Sequence, residues 1–456
     1  MQSTQDVAAL QEPLQLLQLI EKSTKAILDA YSHAGLPLPE LDSDHRPDAA
    51  LLTPDVRVAT RILEGACAQL IATVVHPGHL MMNRSHGSVE SATLQVAIRA
   101  GVANQLLDGP KHISDISRTA KMDEGKLAAV MRNLANKHCF RAVAKNTYAN
   151  NRLSMALLEE DPFGSFVAIG SDEYTQAIVH LADFMADPIT GKSHQADTST
   201  FSRVFGKSVF ELYAEDTTKA ARFGHGMQAW TSIHGGHDTL ANTFPWRSVS
   251  EGTKVCDIGG NHGYVSRALL KAHPHLRVVV QDLPDVISRA QKIWEMECPE
   301  LLREAKAELV PVDFFKEPLY PGCDYYYLKH VLHDWPAVDC ISILKNIRAA
   351  IGTGEGRVLI HEFILVDAGD LPPNVKAPIP LLPDYGYGTL RKYNIDIHMH
   401  ASFNSGERTL ENYTLIAQEG GFKVVETYFD GETTIIELEV ASPAVRMDGS
   451  TRGTST

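Results

Sequence analysis

An α/β fold, in which a doubly wound parallel sheet follows a helical N-terminal region, is what this 456-residue sequence predicts. Three observations predict it. From residue 254 onward, short β-rich apolar runs alternate with helix-length segments, the pattern of a parallel sheet covered on both faces. Before that point, apolar residues recur mostly at helical spacing. Where the first β-rich run ends, an acid is followed by a glycine-rich turn, "VCDIGGNHGYVS" at 255–266. In a doubly wound sheet, ligands sit at the carboxyl ends of the strands, where such turns lie.

The bulk numbers bound the partners. The length predicts two or three domains. A net charge of −14 argues against a nucleic-acid partner, which needs a basic face, and against an anionic membrane surface. Cys67, Cys139, Cys256, Cys298, Cys323 and Cys340 show no C-x-x-C spacing, so free thiols in a reducing cytoplasm are expected. The opening "MQSTQDVAALQEPL" lacks the basic and apolar regions of a signal peptide, and no apolar run approaches the ~18 residues of a membrane span.

Residues 13–33 set Leu16, Leu17, Ile20, Ile27, Leu28 and Tyr31 on one helical stripe. Pro54 opens a second helix with Val58, Ile62, Leu63, Cys67, Leu70, Ile71 and Val74 on one face, and "HPGH" stops it. Two early helices have little chain to cover them, so a second subunit is expected to pack there, giving a homodimer. Residues 91–158 read as three helices, a hairpin in "RAVAKNTYANN" and a helix in "RLSMALLE", which describes a winged-helix module. Its recognition-helix candidate carries only Lys126, Arg132 and Lys137 as bases, so a structural or dimerisation role is expected in place of DNA binding. Aromatic residues between 160 and 245 supply core and a wall for a flat apolar substrate.

The sheet strands follow: "KVCD", "LRVVVQD", "AELVPVD", "YYYLK", "RVLIHEF", "FKVVETY" and "TTIIELEV", with helices at 336–351 and 407–419 between some of them. The first loop reads D-x-G-G-x-x-G, which is not the G-x-G-x-x-G of a dinucleotide dehydrogenase. Gly259 and Gly260 clear space for a ligand, and Asn261 tolerates the positive φ of a glycine slot. Asp257 at the head of the loop suits a cationic ligand. Asp282, ending the second strand, suits an unphosphorylated ribose. S-adenosylmethionine has an amino group, a sulfonium and no phosphate, and fits both acids.

A second constellation falls on the same sheet edge. "YYYLKHVLHDWP" places Lys329 at a strand end with His333 just after it, "LIHEFIL" ends a strand at Glu362, and "FNSGERTLENY" sets Glu407 before a helix. One histidine and two carboxylates there read as a general base with orienting acids. No metal is expected. The nearest candidates are His76, His79 and His86 in an N-terminal loop region, and the pair His398/His400, whose spacing favours pocket lining.

In the order and spacing of "DIGGNHGYVS", "VVVQDLPDVI", "VPVDFFKEPLYPGCDYYYLKHVLHDWP", "VLIHEFIL" and "FNSGERTLENYTLIAQEGGF", the sequence resembles the plant-type S-adenosylmethionine-dependent O-methyltransferases with a winged-helix dimerisation domain. In style it is nearest the fungal branch that modifies secondary metabolites. The resemblance implies a Rossmann-like catalytic domain over 166–442, a helical dimerisation domain over 1–165 and a disordered tail over 443–456. It implies that Gly259 and its neighbours hold the methionine part of the cofactor, Asp282 and Leu283 the ribose, and Asp313 and Phe314 the adenine. Lys329 would also touch the cofactor, and His333 would be the base beside Glu362 and Glu407. Phe314 stands where the plant pattern often has Met. The implied reaction is methylation of a hydroxyl on a small aromatic or polyketide- or alkaloid-type metabolite. The same family implies an alternative, since some fungal members hold the cofactor unconsumed and catalyse dehydration and pericyclic rearrangement. A third alternative is a catalytically dead scaffold, which the intact cofactor loop disfavours.

Overall fold

In this computed structural model the described residues are 11–44, 53–233, 236–366 and 376–441; the expected tail at 443–456 lies outside them. The two predicted apolar stripes become helices Gln11–His33 and Pro54–Val74. They pack on each other through Leu16 and Ala66, with Leu381 from far along the chain closing the cluster. The second helix ends at Val74, just before "HPGH", as expected. Pro77 fits a first helical position, so a new helix, Pro77–Ser85, starts at once, with the His76 ring accepting from the Gly78 N–H at 3.1 Å. His79 therefore lies on a helix and not in a loop.

Next come three short strands, β1 (Lys111–His112), β2 (Arg141–Ala144) and β3 (Thr147–Ala149), in the antiparallel order β1-β3-β2. Helices Gly87–Arg99, Ile113–Ala120 and Glu124–Asn136 pack around them on a core that includes Ile113, Ile116, Met131 and Phe140. Asp123 starts the last of these helices by accepting the Lys126 N–H at 2.9 Å. The expected helix in "RLSMALLE" shrinks to a 3₁₀ turn, Ser154–Leu157. Asn151 Oδ1 takes the N–H groups of Leu153 and Ser154, at 3.2 and 3.1 Å, and so competes for backbone donors there.

Every β-rich run after residue 254 is a strand. These are β4 (Lys254–Ile258), β5 (Arg277–Asp282), β6 (Ala307–Pro311), β7 (Tyr325–Lys329), β8 (Arg357–Glu362), β11 (Phe422–Phe429) and β12 (Thr434–Val440), in the order β11-β12-β8-β7-β4-β5-β6. The sheet is not wholly parallel. β12 runs antiparallel to β11 and β8, because only a short turn through Gly431 separates β11 from β12 and leaves no room for a crossover. One face packs Tyr326, Leu328, Ile343 and Ile347; the other packs Trp246, Leu269, Leu270 and Trp294. Two further short strands, β9 (Ile364–Leu365) and β10 (Arg408–Thr409), pair in parallel beyond the end of β8. The sequence reading did not anticipate the helix Leu390–Phe403, nor the single π-helical turn Gly170–Tyr174. All six cysteines are free. Among the described residues no helix is long and apolar enough to cross a membrane.

Candidate active site

Four parallel strands, β4, β5, β7 and β8, end on one edge, and their last residues carry the polar groups. At β4, Asp257 is buried, only 4% exposed, and not the exposed acid its place in the sequence suggests. Ser266 Oγ donates to its Oδ2 at 2.6 Å. Burial lifts its carboxyl to about 6, against the pull of that hydrogen bond. Burial also lifts Asp282, although Oδ2 accepts the Asn261 N–H at 2.8 Å and Oδ1 accepts the Leu283 N–H at 2.7 Å. Asn261 sits at φ 52°, the conformation expected of it.

The glycines of this loop have a nearer reason than clearance for a ligand. Gly259 adopts φ 68°, and a Cβ there would meet Val331 Cγ2 at 2.8 Å; a Cβ at Gly260 would meet the Asp257 carboxyl carbon at 2.7 Å and Val280 at 2.9 Å. The loop is folded down onto the strand ends by the protein's own packing, so its backbone forms the floor of the edge. Leu283 stands 47% exposed beside it. Asp313 closes its own turn, accepting the Phe315 N–H at 3.1 Å and pairing with Lys316 at 2.8 Å. Phe314 packs edge-on against Trp335, ring centroids 6.1 Å apart. Lys329 is depressed to about 8 because burial opposes its charge despite Asp430, Asp257 and Glu362 nearby. Two buried acids at this edge offer negative charge to a cationic ligand, which would offset the cost of their burial.

The His333 side is assembled from three segments. His333 lies in a short 3₁₀ turn, Leu332–Asp334, and is 6% exposed. Its Nδ1 is 2.7 Å from Glu407 Oε1 and 3.8 Å from Glu362 Oε2. Glu362 is fully buried, and its Oε1 accepts the N–H groups of Val331 and Leu332 at 3.1 and 3.0 Å, so it fixes the loop more directly than the ring. The pairing of Ile364 with Arg408 across β9 and β10 brings Glu362 and Glu407 together. Arg408 then donates to the carbonyls of Leu332 and Trp335, at 2.7 and 2.5 Å, and Ser405 Oγ donates to Trp335 as well.

The neighbouring acids decide the charge of His333. Burial does oppose its charge, but Glu407, Glu362 and Asp334 overcome burial and raise it to about 10. The three acids therefore favour the protonated ring. Burial in turn lifts the carboxyls of Glu362 and Glu407, and that of Asp334 to about 7, so the four groups titrate together.

The O-methyltransferase domain family matches residues 180–423. The "3-O-methyltransferase 2" of Phanerochaete chrysosporium is 37% identical over 432 residues, covering 93% of this chain and 96% of that protein. The chain belongs to the O-methyltransferase family. It is an S-adenosylmethionine-dependent O-methyltransferase. The sterigmatocystin 8-O-methyltransferase of Aspergillus flavus is 28% identical over 303 residues, 65% of this chain and 69% of that one. Among solved structures, OxaC in complex with S-adenosylhomocysteine and oxaline superposes with a TM-score of 0.70 at 21% identity, over 93% of this chain and all of that one. Human N-acetylserotonin methyltransferase in complex with S-adenosylmethionine gives 0.64 at 20%, over 80% of this chain and 98% of that one.

Several groups beside His333 have little signal in the sequence. His330 packs against His333, ring centroids 5.2 Å apart, and its Nδ1 lies 3.2 Å from Glu362 Oε2. A ligand cluster absent from the sequence reading therefore exists: His330, His333 and Glu362 place ligand atoms within 4.8 Å of one another. The i, i+3 spacing in "KHVLHDW" was its available signal. Aromatic rings flank the base loop on both sides. Trp230 meets His330 at 6.1 Å and Phe363 at 5.8 Å, while Phe210 stacks on Trp335 at 5.6 Å. The pair His398/His400 divides. His398 packs 5.7 Å from Tyr174, and the largely exposed His400 lies 3.5 Å from Asp396.

Proposed function

We propose that this methyltransferase acts on a hydroxyl of a small aromatic or polyketide- or alkaloid-type secondary metabolite, with His333 as general base. The observation that carries this is the 2.7 Å contact of His333 Nδ1 with the buried Glu407. Glu407 holds one ring nitrogen, so Nε2, 3.5 Å from Asp334 Oδ1, is the atom that would accept a proton. Support for the substrate class comes from the rings of Trp230, Phe363, Phe210 and Trp335 around that loop, and from relatives such as the sterigmatocystin enzyme.

When bound, S-adenosylmethionine supplies a methyl already activated by its sulfonium. Gly259, Gly260, Asp257, Asp282, Leu283, Asp313, Phe314 and Lys329 would hold it. The chain's own work is then to position the substrate hydroxyl and take its proton. A phenol has a pKa near ~10, so its ionisation needs a base at neutral pH. Positive charge beside His333 would lower its pKa from the value of about 10 toward the working range, so that the ring can act. Proximity alone can supply ~7–11 kcal/mol of the barrier.

His333→Ala is expected to lower turnover by about 10²–10⁴ while leaving cofactor affinity nearly intact, and higher pH should partly rescue it by ionising the substrate. Single-turnover mass spectrometry on an accepted substrate checks this. Substrate consumed with no gain of a methyl, in either protein, rejects the base assignment and favours the rearrangement or dehydration chemistry of the family's other members.

We further read residues 1–165 as a winged-helix dimerisation domain and 166–442 as the catalytic one, in a homodimer centred on the first helices. Leu14, Leu17, Ile71, Val74, Met81 and Met82 support this, being 49–63% exposed on neighbouring helices. A full-length chain that sediments as a monomer at micromolar concentration contradicts it.

A further inference from the structure

Around His333 the fold gathers more ligating atoms than proton transfer requires. His330 adopts left-handed backbone, φ 51°, a conformation disfavoured for a residue with a side chain. Its Nδ1 stands 3.2 Å from Glu362 Oε2, and His333 Nδ1 stands 3.8 Å from the same oxygen and 2.7 Å from Glu407 Oε1. The second oxygen of Glu407, Oε2, is buried without a hydrogen-bond partner, on a side chain with no exposed surface. His333 meets only Oε1, so Oε2 is left a buried oxygen with no donor, which a bound cation would satisfy.

We propose that His330, His333, Glu362 and Glu407 form a binding site for a divalent transition ion of the zinc class, and that its occupancy disarms the enzyme. Four ligands at ~2.0–2.2 Å around a tetrahedral ion stand roughly 3.3–3.5 Å apart. For His330, His333 and Glu362 the 3.2 and 3.8 Å separations bracket that spacing; Glu407 Oε1, 2.7 Å from His333 Nδ1, is closer than two ligands stand, so Glu407 must give up that hydrogen bond and turn to join as the fourth. The donor chemistry selects the ion. Two imidazoles and two carboxylates suit Zn²⁺ and its neighbours, whereas Ca²⁺ takes six to eight oxygens and Mg²⁺ keeps its waters. The two carboxylates cancel the double charge in a buried place. The disarming step follows from the ring. With Nδ1 of His333 on the ion, the remaining ring proton sits on Nε2, and the imidazole has no lone pair left to accept another. The disarming step rests on His333 being the base; the site itself does not.

The test uses the full-length enzyme with Co²⁺ and Zn²⁺ as probes. Titrating Co²⁺ is expected to give visible d–d absorption of tetrahedral intensity, saturating at one ion per chain, displaced by Zn²⁺. It should show no near-ultraviolet thiolate band, which excludes the free cysteines as ligands. Zn²⁺ should inhibit methyl transfer, and EDTA should restore it. His330→Asn is the informative variant, since Asn tolerates the same positive φ and can still bond Glu362 but offers no imidazole. Relative to its own metal-free rate, that variant should need about tenfold more Zn²⁺ for half inhibition. Its Co²⁺ spectrum should weaken in parallel. No tetrahedral absorption, a thiolate band, or identical Zn²⁺ sensitivity in the variant overturns the site. Tetrahedral Co²⁺ lost in the variant, combined with full activity of the Zn²⁺-loaded wild type, keeps the site but overturns the disarming step, and His333 then falls as the base.

Discussion

The two halves of the site are built on different principles. At the β4/β5 edge, each acid is held by backbone or hydroxyl donors a few residues away or on the adjoining strand, such as Asn261 and Leu283 for Asp282. At the other end, His333 and Glu407 lie 74 positions apart and meet only through tertiary structure. The first is a frame of neutral donors around single charges. The second is a group of coupled charges in which each member sets the protonation of the others. A substitution in the frame should act mainly on affinity. One in the coupled group should move the pH dependence as well as the rate.

Glu407→Gln is the sharpest way to break the contrast, and the largest effect expected. The amide keeps the shape of the side chain but removes the charge that most raises His333. Turnover should fall by about 10²-fold or more, because the ring loses its orienting acceptor. The acid limb of the activity profile should shift to lower pH by about one unit or more, since an opposite charge within a few ångströms is worth that much. The sign follows from the base: activity is lost as pH falls through the pKa of His333, so lowering that pKa moves the loss downward. Stability follows the same linkage. A folded value of about 10 against an ordinary ~6.5 contributes stability that is full below the ordinary value and is lost as pH rises through the folded one. The variant should therefore lose stability mainly at neutral and lower pH. Rate–pH profiles with thermal melts at several pH values check both. An unmoved acid limb would mean that the ring titrates independently of Glu407.

The same contrast explains what could be read from the sequence. Strand ends and the turns after them are local, so Asp257, Gly259, Gly260, Asp282, Lys329 and Glu362 could be placed on one edge from apolar periodicity and turn chemistry. The seven strands were legible for the same reason. The reversal of β12 was not, because it depends on a short connection and not on the strand's composition. Asp430 and His361, buried with Nε2 3.2 Å from the carboxylate, carry no local signature either. Nor do Arg408 and Ser405, whose task is to hold the carbonyls of another loop. His330 was passed over because one histidine three residues before another looks like strand-end decoration until Glu362 is placed beside it. The protonation of His333 is likewise hard to read from sequence. Its ordinary pKa is a property of the residue, whereas its value here also belongs to Asp334 beside it and to Glu362 and Glu407 from distant segments.

Asp282→Ala probes the other half, with a smaller expected effect. Losing a hydrogen bond to a charged group costs about 1.5–3 kcal/mol, so cofactor binding should weaken by about tenfold or more. Two contributions are mixed in that number. The carboxylate would meet the ribose directly, and it also accepts the N–H groups of Asn261 and Leu283, which fix the glycine loop. Asp282→Asn separates them. The amide oxygen can keep one of the two backbone donors, so the loop should stay largely in place while the charge is gone. If the loop matters most, the Asn variant should bind nearly as well as wild type. If the ribose contact matters most, it should bind nearly as poorly as the Ala variant. Neither variant should move the acid limb of the activity profile by much, because His333 takes its raised pKa from Glu407, Glu362 and Asp334 and not from this edge. Calorimetry with S-adenosylmethionine and S-adenosylhomocysteine reads the affinities. Unchanged binding in the Ala variant would remove Asp282 from the cofactor site, and a shifted acid limb would show that the two halves of the edge are coupled after all.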